Sequence, residues 1–124
     1  VYTALLPGQP GEKMNITERD ENGVAVFVLD GRVDSIGAAE MDEVLQAAVS
    51  EGRTKMILDM SKVQYINSAG LRTLADILTQ NRASNGDLLL VALSPKVERV
   101  FKIIGFDKFF DVYDSVEAAV TKLK

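Results

Sequence analysis

Lys55-Met56-Ile57-Leu58-Asp59 is followed by a polar loop and then by Leu71, Leu74, Ala75 and Leu78, and this stretch decides the fold. The first run reads as a short buried strand. The later apolar residues recur at i, i+3, i+4 and i+7, which puts them on one helical face, and Asn85-Gly86 closes that helix near Ser84. Leu88 to Leu93 is then continuously apolar, as a central strand covered on both faces would be. Strand, helix and strand in that order make a crossover, and crossovers join parallel strands. The expected class is therefore α/β.

The same reading extends in both directions. Upstream, Asn15 to Arg19 is a strand candidate, Asn22-Gly23 is a hairpin turn signal, and Val24 to Leu29 is a β-rich apolar run that would pair antiparallel with the first. Met41, Val44, Leu45, Ala48 and Val49 share one helical face, with Gly52 as the stop, so a helix is expected over about Ala38 to Glu51. Downstream, Ser94-Pro95 supplies an N-cap and a proline at the first helical position, and Val97, Val100, Phe101 and Ile104 form a stripe that Gly105 ends. Phe109 to Tyr113 is a last strand candidate. Asp114 and Glu117 have capping-box spacing, ahead of a helix carrying Val116, Ala119, Val120 and Leu123. Val1 to Lys13 holds two prolines and two glycines without periodicity and is expected to be a mobile tail, with one domain over residues 14–124.

The architecture expected from these elements is a four- to five-stranded mixed sheet with an N-terminal hairpin and about four helices. In such sheets the functional surface lies beyond the carboxyl ends of the parallel strands. Three loops are expected to meet there: Asp30 to Gly37, Asp59 to Ser68, and Ser94 to Lys96.

Composition narrows the chemistry. The 124 residues include no histidine, cysteine or tryptophan, with 47% hydrophobic and 26% charged residues. At this length folding buries roughly two thirds of the unfolded chain's surface, so a core can form without disulfides or a structural metal. A Ser-His-Asp triad, a cysteine nucleophile and a histidine- or cysteine-liganded metal are all excluded. No phosphate-cradling glycine pattern or convincing carboxylate pair is found, so neither an enzyme nor a bound cofactor or metal is expected. The net charge of −4 and the scattering of the 14 basic residues disfavour a nucleic-acid or anionic-membrane surface and favour a protein partner. The longest apolar runs, Val24 to Leu29 and Leu88 to Leu93, fall far short of the about 20 residues that cross a membrane. No secretory signal is visible, and the expected location is cytoplasmic.

The loop at Ser68 is the most informative segment. Asp59-x-Ser61 followed by Asn67-Ser68-Ala69-Gly70-Leu71 resembles the signature of STAS domains, named for sulfate transporters and anti-sigma factor antagonists. The resemblance runs over about Met14 to Lys124 and includes Asp30-Gly31-Arg32-Val33-Asp34 and the Ser94-Pro95 helix ending in Gly105-Phe106. It implies a stand-alone bacterial anti-anti-sigma factor, in which the serine at the position of Ser68 is phosphorylated by a serine-kinase anti-sigma factor. Phosphorylation would abolish binding, and a metal-dependent serine phosphatase would reverse it. The resemblance also places Asp34 and Ser35 near the phosphosite and in the partner surface, alongside Asn67, Ser68, Ala69, Gly70 and Arg72. The family's usual phosphosite has Asp before the serine and a hydroxyl residue after it, where this chain has Asn67 and Ala69.

Plainer readings stand beside these. Ser68 precedes the Leu71 stripe and would serve as a helix N-cap; Asp34 with Ser35, and separately Ser94, would cap their own helices. Asp59 would bond the turn that follows it, with Ser61 in the same local network. Phe101, Phe106, Phe109 and Phe110 would pack in the core, and Lys96, Arg99 and Lys102 would lie on a solvated helix face. The alternative function is a constitutive STAS subunit of a transporter or sensory scaffold, in which Ser68 is only a cap. A phospho-aspartate receiver domain would use Asp59 as acceptor with Lys96 nearby, and would need five strand–helix units.

Overall fold

β1 (Asn15–Glu21) and β2 (Val24–Asp30) form the expected antiparallel hairpin. Its turn residues Asn22 and Gly23 have φ of 57° and 86°, the left-handed pair that a type I′ turn requires. The Asp20 carboxylate accepts from the Gly23 N–H at 3.0 Å. In the computed structural model, which describes residues 14–123, the chain continues as α1 (Ser35–Ser50), β3 (Lys55–Lys62), α2 (Ser68–Ala83), β4 (Asp87–Val91) and α3 (Pro95–Ile104). A 3-10 turn (Phe106–Lys108), β5 (Val112–Tyr113) and α4 (Val116–Leu123) complete it. The tail expected over residues 1–13 lies outside the described residues.

The five strands form one sheet in the order β1-β2-β3-β4-β5, with β2 to β5 mutually parallel. Successive right-handed crossovers between adjacent strands put their helices on one face of the sheet. Phe27, Leu29, Leu58 and Leu90 point to that face and are buried with Met41 and Leu45 of α1, Leu74 of α2 and Phe101 of α3. The alternate residues Val24, Val26, Ile57, Leu89 and Val91 form a smaller core under Val116, Ala119 and Val120 of α4. Burial on both faces is why β2 and β4 read as unbroken apolar runs. Among the described residues no helix is long and apolar enough to cross a membrane.

Several boundaries differ from expectation for identifiable reasons. β3 runs to Lys62 rather than Asp59, because Met56, Leu58 and Met60 continue the alternation into the main core. Asp59 and Ser61 are therefore strand residues rather than loop residues. β4 stops at Val91, two residues short of Leu93, where Ala92 turns into the left-handed region at φ 58°. Only Val112 and Tyr113 of the last candidate form a strand, since Phe109 and Phe110 close the 3-10 turn. The rings of Phe106 and Phe110 stand 5.9 and 5.8 Å from Phe101, an aromatic cluster in which Phe110 is buried and Phe109 is 60% exposed. α4 is capped by Ser115, whose hydroxyl accepts from the Ala118 N–H at 3.2 Å, one residue later than the Asp114–Glu117 box would place its start. The antiparallel hairpin and four helices do not supply the strand–helix units of a receiver domain.

Candidate functional site

The loops leaving β2 and β3 are stitched to each other by the main chain. The Val33 N–H donates to the Tyr65 carbonyl at 3.0 Å, and the Asn67 N–H donates to the Val33 carbonyl at 2.9 Å. Val33 and Ile66 thereby form a parallel bridge that carries the β2–β3 pairing beyond the sheet proper. Both loops turn into helices at once, so α1 and α2 begin side by side.

Each start is capped by the residue preceding the serine. Asp34 Oδ1 accepts from the Gly37 N–H at 2.9 Å, and Asn67 Oδ1 accepts from the Gly70 N–H at 3.0 Å. Ser68 is thus the first residue of α2 rather than its cap, and the capping role expected of it belongs to Asn67. Ser35 likewise opens α1 behind Asp34, three residues earlier than the expected helix start. Bridge geometry accounts for the offset: pairing Val33 with Ile66 holds Asn67 extended, at φ −101° and ψ −177°, which is the conformation of an N-cap. Gly70 allows the loops to approach, since a Cβ there would lie 2.4 Å from Val33 Cγ1 and 2.9 Å from Ile66 Cγ1.

Ser68 is exposed, and among the described residues no group hydrogen-bonds its hydroxyl. Arg72 is exposed one turn along α2, and among the described residues it enters no ion pair. The first-turn N–H groups of α2 carry the positive end of its dipole beside Ser68. Asn67 and Asp34 are half-buried, Ala69 is half-buried, Gly70 is buried and Ser35 is exposed. The side-chain amide of Asn67 donates from Nδ2 to Ser35 Oγ at 3.4 Å, which joins the two helix starts. All seven residues proposed for the partner surface thus fall on or beside one pair of helix starts.

The third loop contributes differently. Ser94 is 6% exposed and its hydroxyl accepts from the Val97 N–H at 3.3 Å, so it is the cap of α3, as expected. Asp59 Oδ1 accepts from the Ser61 N–H at 3.0 Å, the local bond anticipated for it. Two features of the surface were not anticipated. The Arg32 guanidinium sits 4.2 Å from the centre of the Tyr65 ring, and Tyr65 is 40% exposed in the loop that leads to Ser68. Ile36 is 50% exposed in the first turn of α1. Its position off the Met41–Leu45 stripe was visible in the sequence, whereas the Arg32–Tyr65 stack depends on the bridge between loops.

Comparison with known proteins adds the lineage. Residues 14–119 match the model of the STAS domain family. BtrV of Bordetella bronchiseptica, a protein named for anti-sigma factor antagonism, is 37% identical over 111 residues, which cover 90% of this chain and 96% of BtrV. The crystal structure of an anti-sigma factor antagonist from Mycobacterium paratuberculosis aligns with a TM-score of 0.80 at 26% identity, covering 89% of this chain and 93% of that one. SpoIIAA of Bacillus in its phosphorylated form aligns with a TM-score of 0.70 at 18% identity, covering 87% and 98% of the two chains, a likeness of fold.

Proposed function

This chain belongs to the STAS domain family, and from that premise we propose that it is an anti-sigma factor antagonist switched by phosphorylation of Ser68. In the unphosphorylated state it binds a serine-kinase anti-sigma factor and so frees the sigma factor. The kinase phosphorylates Ser68 and loses its hold, and a serine phosphatase restores the binding form. The chain acts in the cytoplasm as a binding module and not as an enzyme.

One observation carries the reading: Ser68 is exposed and, among the described residues, its hydroxyl is unbonded, because Asn67 does the capping. A phosphate there adds roughly −1.5 to −2 charge. It would face the free N–H groups and positive dipole end of α2, with Arg72 one turn away on the same face, so the helix is not expected to melt. The charge acts at the interface instead. Burying that dianion against a partner without a matching cation costs several kcal/mol, and each 1.4 kcal/mol is tenfold in affinity.

The test is affinity capture from native-host extract with the wild-type chain, Ser68→Ala and Ser68→Asp. Wild type and Ser68→Ala should retain a kinase-type anti-sigma factor, Ser68→Asp should lose it by on the order of a hundredfold, and ATP should place one phosphate on Ser68. Equal retention by Ser68→Asp overturns the switch. Recovery of a transporter or scaffold with that same indifference favours the constitutive-subunit alternative.

A further inference from the structure

The chain carries two Asn-Gly pairs, Asn22-Gly23 in the turn between β1 and β2 and Asn85-Gly86 after α2. Both asparagines are exposed and both hold left-handed backbone, at φ 57° and 64°. Glycine has no side chain to shield its nitrogen, so that nitrogen can approach the side-chain carbonyl of the asparagine before it. By sequence the two pairs are equally reactive, but their surroundings differ.

At Gly86 the nitrogen is committed. Its N–H donates to the carbonyl of the buried Asn81 at 2.7 Å, and a Cβ on Gly86 would overlap the Thr54 carbonyl. Bringing that nitrogen onto the Asn85 side chain would break a main-chain hydrogen bond and push the backbone out of close packing. At Gly23 nothing lies within 4 Å of the place a Cβ would take. The Gly23 N–H donates at 3.0 Å to the carboxylate of Asp20, an exposed side chain whose place as acceptor water can take.

We propose that Asn22 is a site of spontaneous deamidation and isoaspartate formation, and that the fold holds Asn85 against the same reaction. The Gly23 nitrogen forms a bond to the side-chain carbonyl carbon of Asn22 and gives up its proton. The bond from that carbon to the amide nitrogen breaks, the amide nitrogen takes the proton, and ammonia leaves behind a cyclic imide. Water, the one co-reactant, then adds to either imide carbonyl. Opening at the main-chain nitrogen on one side gives aspartate, and opening on the other gives isoaspartate.

Either product alters the hairpin. A carboxylate at position 22 adds negative charge beside Asp20 and Glu21. Isoaspartate also lengthens the main chain by one carbon inside the two-residue turn that sets Glu21 opposite Val24. β1 is held to the rest of the sheet by β2 alone, and its Ile16 packs against the main core, so a disturbed turn weakens that contact.

The experiment is ageing of the full chain in warm, mildly alkaline buffer, for wild type and Asn22→Gly, with peptide mapping by mass spectrometry, enzymatic isoaspartate labelling and thermal melting at intervals. Native wild type should convert several-fold faster at Asn22 than at Asn85, yield both aspartate and isoaspartate at position 22, and lose Tm with age. In denaturant the two sites should convert at similar rates, because glycine follows each. Asn22→Gly keeps a residue pair suited to the same turn and should hold its Tm. Native conversion at Asn22 that is absent, or no faster than at Asn85, overturns the proposal. So does a several-fold preference for Asn22 that survives denaturant, which would place the difference in the sequence and not in the fold. An equal loss of Tm in aged Asn22→Gly overturns the link between this residue and the hairpin.

Discussion

Ser68 and Ser94 stand at the starts of two helices at the carboxyl end of the parallel strands, yet among the described residues one hydroxyl is unbonded and the other is spent. Ser94 is buried and holds the Val97 N–H at 3.3 Å, with Pro95 behind it at the first helical position. Ser68 stands one position further into its helix, exposed, while Asn67 holds the Gly70 N–H at 3.0 Å. A shift of one residue relative to the helix start thus separates a structural hydroxyl from one available for chemistry. The shift is imposed from outside the helix, by the bridge between Val33 and Ile66.

The hardest way to break this contrast is to push the two loops apart. Gly70→Ala places a methyl 2.4 Å from Val33 Cγ1 and 2.9 Å from Ile66 Cγ1, both on buried residues that have little room to yield. Overpacking of this kind costs about 2–3 kcal/mol, or roughly 10 °C in Tm for a domain of this size. Thermal melting checks it. A Tm within a degree or so of wild type would mean that the loops are not held at this distance.

Removing the cap hydroxyl of α3 is the next largest effect. Ser94→Ala leaves the Val97 N–H unpaired in a buried position and should cost about 1–2 kcal/mol by denaturant titration. The α2 start is tested by Asn67→Ala, which loses the bond to the Gly70 N–H and the link to Ser35, for about 1 kcal/mol. Asn67→Asp keeps an acceptor for Gly70 and adds a negative charge at a helix N-terminus, so its stability should match or slightly exceed wild type. If Asn67→Ala were neutral, the capping role would have to return to Ser68.

What the sequence disclosed and what it hid divide along the same line. The unbroken Leu88 run, the Ser94-Pro95 start and the Asn22-Gly23 turn rest on local chemistry, and the elements they announce are present. The boundaries that moved depend on neighbours distant in the chain. Asn67 and Ser68 are both good caps by propensity, and only the pairing of Ile66 with Val33 selects between them. The choice of Ser115 over Asp114 at the start of α4 is likewise a matter of one residue. Ala92 gives no local warning of its left-handed backbone, because alanine has no preference for that region. The stack of Arg32 on Tyr65 joins two loops and has no signature in either. The candidate surface was legible as a set of residues, and its geometry was not.

The smallest effect on stability is expected at the residue with the largest proposed role. Ser68→Ala removes a hydroxyl that no described group bonds, from an exposed position in the first helical turn, and alanine is the better helix former there. Its stability should lie within about 0.5 kcal/mol of wild type, against the about 1–2 kcal/mol lost at Ser94. Measured side by side in one denaturant series, the two alanine variants separate the roles directly. A loss at Ser68 equal to that at Ser94 would show that its hydroxyl caps the helix after all, and a phosphate could then be added only by giving up that bond. A neutral Ser68→Ala leaves the hydroxyl with no structural duty, so a kinase could use it without disturbing the fold that presents it.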